Sequence, residues 1–127
     1  FRTGTIAWVG YAAMQHKLRT GNGKYNSLIS GVADWLLKRQ SATTGLLAGG
    51  PDVSWVSTQN NMVAYLFFAT LAGHPVGDLK ASDMSAVANR IAAGIDSRLT
   101  ITPAAGQLGF VQGLHDAVRP RDARGEG

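Results

Sequence analysis

The chain has no cysteine in its 127 residues, so a disulfide framework and a thiolate metal site are both excluded, whatever the compartment. Histidine is scarce: His16, His74 and His115 lie far apart and lack the spacing of a metal site, so no metal is expected. Glutamate occurs once, at Glu126, beside seven aspartates. No apolar run approaches the ~20 residues that cross a bilayer, so no membrane role is expected. The net charge of +4 is scattered, and no segment carries a basic stripe interleaved with aromatics. A nucleic-acid partner needs a concentrated phosphate-facing patch, and none is expected here. No serine sits in a G-x-S-x-G elbow and no thiol is present, which leaves no nucleophilic triad. Gly21-Asn22-Gly23-Lys24 lacks the remainder of a phosphate-loop pattern and a preceding strand, and reads as a tight turn. No cofactor is expected. The start, Phe1-Arg2-Thr3-Gly4, has no Met and no signal-peptide pattern, which suggests a processed chain or a piece of a longer one.

What is present is apolar material in helical patterns. Hydrophobic residues make up 45% and charged residues 16% of the chain, enough for a core in one domain of ordinary size. Four segments are predicted helical. The first, residues 5–20, is apolar around nearly its whole circumference (Ile6, Ala7, Trp8, Val9, Tyr11, Met14, Leu18), and Gly21 is a natural stop. In the second, residues 24–39, Tyr25, Leu28, Ile29, Val32 and Leu36 form one stripe, with Lys24, Ser27, Asp34 and Lys38 largely off it. The third, residues 58–72, is again apolar all round (Met62, Val63, Tyr65, Leu66, Phe67, Phe68, Leu71), with Ser57 or Thr58 as N-cap and Gly73-His74-Pro75 as terminator. The fourth, residues 83–99, shows a clean stripe of Met84, Val87, Ala88, Ile91, Ile95 and Leu99, with Ser82 as the expected N-cap.

The order is thus buried, amphipathic, buried, amphipathic. A plain four-helix bundle would make all four helices amphipathic to a similar degree. Inner helices alternating with outer ones, in a repeat of antiparallel helical hairpins, fit the pattern. The fold class expected is all-α, and no sustained apolar–polar alternation suggests a strand. Residues 1–118 are read as the helical domain and residues 119–127 as a disordered tail, since Ala123 is the tail's sole apolar residue. Two long loops, residues 40–57 and the stretch holding Gly109-Phe110-Val111-Gln112-Gly113-Leu114-His115-Asp116, each follow an outer helix. Both are expected at the same end, where sites on repeat proteins commonly sit.

Three motifs add a resemblance. Thr3-Gly4-Thr5-Ile6-Ala7-Trp8-Val9-Gly10, then Gly45-Leu46-Leu47-Ala48-Gly49-Gly50, then Trp55-Val56-Ser57-Thr58-Gln59-Asn60-Asn61 heading an aromatic helix, resemble bacterial six-hairpin, or (α/α)6 toroid, glycosidase-like proteins. Phe110-Val111-Gln112-Gly113 with Asp116 is similar to that family's loop before the next inner helix. The resemblance implies a partial toroid of two hairpins and the approach to a third. Gln59 and Asn60 stand where similar proteins often carry an acidic residue and a histidine, which removes acid–base chemistry from those two positions.

Glycoside hydrolysis commonly needs two carboxyl groups, ~5 Å or ~6.5–9.5 Å apart. Only Asp52 and Asp116 lie in the long loops, so they are the candidate catalytic pair. Trp55 and Phe110 offer stacking surfaces for a sugar, and Gln59, Asn60, Asn61, Gln112 and His115 offer hydrogen bonds. The plainer reading gives Asp52 to a turn after Pro51, Asp116 to a helix cap, Trp55 to loop anchoring, and Asn60 and Asn61 to the free donors of a first helical turn. Two functions follow as expectations. One is a non-catalytic, incomplete toroid module that self-associates, or binds a partner chain, through open helix edges carrying Trp8, Tyr65 and Phe68. The alternative is a carbohydrate-binding or glycoside-hydrolase-like activity in the loops. The sequence leaves open whether the chain is an enzyme.

Overall fold

The computed structural model describes residues 2–102, 104 and 106–114. The chain is mostly helical, in the order α1 (Thr3–Thr20), α2 (Asn26–Leu37), β1 (Val56–Ser57), α3 (Thr58–Gly73), α4 (Ala81–Arg98), β2 (Thr100–Ile101), β3 (Gly109–Phe110) and β4 (Gly113–Leu114). The short strands correct the expectation of an all-α chain. Each is two residues long, too short for alternation to register, and they exist only as local pairings, β1 with β4 and β2 with β3, both antiparallel.

Local chemistry sets two of the helix ends. Gly21 closes α1 in the left-handed region at φ 69°, where its N–H reaches the Lys17 carbonyl. Ser57 caps α3, its hydroxyl accepting the Asn60 N–H at 3.2 Å. Ser82 is not the cap of α4: that helix begins at Ala81, with Lys80 in the cap position and no side-chain bond there.

α1 packs on α2 and on α3, and α3 packs on α4 as well. The main core fills those junctions with Met14, Ile29, Leu36, Phe67, Phe68, Leu71 and Ile91, all fully or almost fully shielded from water. Gly10 lets α1 close on its neighbours: a Cβ there would stand 2.6 Å from both a Phe67 ring carbon and a Val32 methyl. A smaller cluster, Leu46, Val56, Leu99 and Leu114, lies under the loops.

The expectation that α1 and α3 are buried on most sides needs correction. Trp8 is 51% exposed, and Val9, Leu18, Met62, Tyr65 and Leu66 also face water. Their apolar circumference is real, but only part of it finds a neighbour among the described residues. Phe68, expected on an open edge, is instead fully buried and stacks edge-on against Phe67. The reading of residues 119–127 as a tail lies outside the described residues.

Candidate functional site

The N-terminus of an α-helix leaves backbone N–H groups without intrahelical partners. In α1 and α3 the opening threonine meets this need in the same way. Thr3 donates its N–H to the Gly49 carbonyl at 2.8 Å and its hydroxyl to the Ala48 carbonyl. Thr58 donates its N–H to the Gln112 carbonyl at 3.0 Å and its hydroxyl to the Val111 carbonyl at 2.6 Å. The loops that accept these bonds are built alike. The Ala48 N–H returns to the Arg39 carbonyl at 3.0 Å, and the Val111 N–H to the Leu99 carbonyl at 2.9 Å. Gln40 faces Leu47 across one antiparallel bridge, and Thr100 faces Phe110 across the other. The second helix pair with its loop therefore repeats the first.

The two starts also touch. Gly4 lies against Asn60, whose side-chain oxygen would be 2.3 Å from a Cβ at that position. Both long loops thus gather at the end of the molecule where α1 and α3 begin, as the order of helices implies.

The candidate residues fare differently there. Asp52 is 82% exposed, and it pairs with Arg2 at 3.4 Å. An exposed pair of that kind contributes little. Asp116 and His115 lie outside the described residues, so the pair has no separation to compare with glycosidase geometry. Trp55 is half-buried and packs across Gly49, where a Cβ would fall 2.1 Å from the indole, and the Arg2 guanidinium sits 5.7 Å from its ring centre. That is the loop-anchoring role. Gln59 and Gln112 are exposed beside the α3 start, and Asn60 is half-buried against Gly4. Phe110 is 51% exposed but looks elsewhere, lining a cleft of about 300 Å³ with Tyr65, Ile95 and Leu108.

Asn61 is corrected most. It is fully buried, and its carboxamide is consumed by the fold. The oxygen accepts the Leu47 N–H at 2.8 Å, and the nitrogen donates to the carbonyls of Leu47 at 3.1 Å and Ser57 at 2.9 Å. It has nothing left for a sugar hydroxyl. The sequence assigns no position-setting role to Thr3 or Leu47, and offers Thr58 only as a candidate N-cap. The available signal was a threonine opening both strongly apolar helices.

Among the described residues no three of His, Asp and Glu converge as metal ligands, and no helix is long and apolar enough to cross a membrane. No protein-family model matches the chain, and neither the curated proteins nor the solved structures contain a match. The loop end is a hydrogen-bonded clamp for two helix starts. Among the described residues it offers carboxamides and the exposed carboxylate of Asp52.

Proposed function

We propose that this chain is a non-catalytic helical-hairpin module, a partial α/α toroid, that associates with further copies of itself through its open helix edges. One observation carries the reading. The two strongly apolar helices, α1 and α3, leave Trp8 51%, Tyr65 36% and Leu66 43% exposed. Large apolar side chains left exposed on two helices that pack together are the surface an interface would use. Support for the toroid arrangement comes from the repeated threonine clamp, since a unit that repeats once with the same bonds is suited to repeat again. A trimer of two-hairpin chains would supply the six hairpins of the resembled ring. The test is absolute mass by light scattering over a wide concentration range. A mass rising to a fixed multiple of 13.4 kDa supports association, and a folded monomer at every concentration overturns it.

The alternative, carbohydrate binding at the loop end, rests on the exposed Gln59 and Gln112 at the α3 start. Because Trp55 also anchors the loop, Gln59→Ala is the cleaner probe. Binding on a glycan panel that Gln59→Ala weakens while the fold survives would favour it, and silence across the panel would end it.

A further inference from the structure

The repeat gives a template for one specific contact. Within the chain, residues 41–47 lie along α4 and over the start of α3. The Thr44 carbonyl and the Leu46 side chain sit on Gly94, where a Cβ would be 2.4 Å and 2.8 Å from them, and Gly45 sits on the Arg90 carbonyl. Leu47, next along, is fully buried in the main core and gripped by Asn61. This is how the loop of the first helix pair docks on the second pair.

The loop of the second pair rests on the small cluster that holds Leu99 and Leu114 and on the α3 start, but among the described residues it has no further helix pair to dock on. Phe110, which occupies the Leu47 place in its bridge, is 51% exposed, and Leu108 is 69% exposed. At the opposite edge, the first pair has a vacant counterpart of the docking groove. Ile6, Leu28, Gly31 and Trp35 help line a space of about 390 Å³ between α1 and α2. Gly31 has no atom within 4 Å of where its Cβ would be, in contrast to Gly94 under its loop. Ile6 stands fourth in α1, as Asn61 stands fourth in α3, so this groove offers an apolar wall where the filled one offers a carboxamide.

We infer that the β2–β3 ladder of one copy, led by Leu108 and Phe110, docks in the α1–α2 groove of a second copy, as residues 41–47 dock on α3 and α4 within the chain. The occupant is a second copy because the chain itself carries both halves, and because the contact continues the junction it already makes internally. The apolar side chains Leu108 and Phe110 meet an apolar wall that holds Ile6, so the match does not need the Asn61 bonds. The contact is heterologous: one copy gives its ladder and the next its groove, so successive contacts can close into the ring proposed above.

This inference rests on the association reading and specifies it. The experiment uses the full chain in sedimentation velocity, with Phe110→Asp on the ladder, Leu108→Asp as a second ladder variant, and Gly31→Leu to fill the groove. All three positions are exposed, and circular dichroism checks the fold of each variant. Each substitution is expected to raise the self-dissociation constant roughly tenfold or more. A 1:1 mixture of Phe110→Asp and Gly31→Leu is expected to form a 1:1 dimer, because each variant retains the half the other lacks. Folded variants that associate as tightly as the unmodified chain, or a mixture that stays monomeric, would overturn the inference while leaving association itself standing. An unmodified chain that never associates would overturn both.

Discussion

Asn61 shows most plainly how a residue suited to ligand binding is taken over by the fold. Its three hydrogen bonds tie the Leu47 peptide to the α3 start in a place with no water access. Removing the carboxamide strands a buried N–H and a buried C=O, each at a cost of about 1–3 kcal/mol. Asn61→Ala is therefore expected to lose about 3 kcal/mol, read from the urea midpoint at constant slope. Asp52 gives the opposite expectation. It is exposed and its partner Arg2 is exposed too, so Asp52→Asn is expected to leave stability within about 0.5 kcal/mol of the unmodified chain. Thr58→Val removes the hydroxyl bond to Val111 while keeping the shape, and is expected to cost about 1 kcal/mol, seen as a lower melting temperature. The residue types were legible in the sequence. Their partners were not, because Leu47 and Val111 reach these side chains only after helices far apart in the chain have packed.

At the scale of elements, the four helices were legible because each carries a continuous apolar pattern, and the first and third also carry a chemical stop. Gly21, Ser57 and the Gly73-His74-Pro75 sequence act on their immediate neighbours, so their effect needs no tertiary contact. The start of α4 was placed two residues late because no side chain caps it, so Ser82 gave a signal the fold does not use. The four short strands were not legible at all. Their pairing is decided by where the loops after α2 and α4 fall once the helices have packed. Helix approach is the testable element-level property. Gly10 lies where α1 meets Phe67 and Val32, and Gly10→Ala must push both aside. The expected cost is about 1–3 kcal/mol despite the better helix propensity of alanine, measurable by chemical denaturation. Gly31→Ala, with open space around it, is expected to change stability little or raise it.

For the whole molecule, the question is what closes the apolar edges. The association reading predicts a concentration-dependent mass, and a Trp8→Ser exchange on the exposed α1 face is expected to shift it toward monomer without loss of helicity. Light scattering and circular dichroism on the same samples separate the two effects. The sequence by itself determined that helices form, roughly where they run, that two of them are apolar on every side, and that the long loops follow the second and fourth. Those outcomes depend on periodicity and capping, which act over one or two helical turns. Only the tertiary structure decided that Thr3 and Thr58 are equivalent clamps, that Asn61 is spent on Leu47, that Phe68 is core while Trp8 faces water, and that Leu47 is covered while Phe110 is not. Apolarity in a sequence says that a side chain can be buried. Whether it is buried depends on a neighbour brought in from elsewhere in the chain, and on α1 and the β2–β3 ladder part of the surface has none among the described residues.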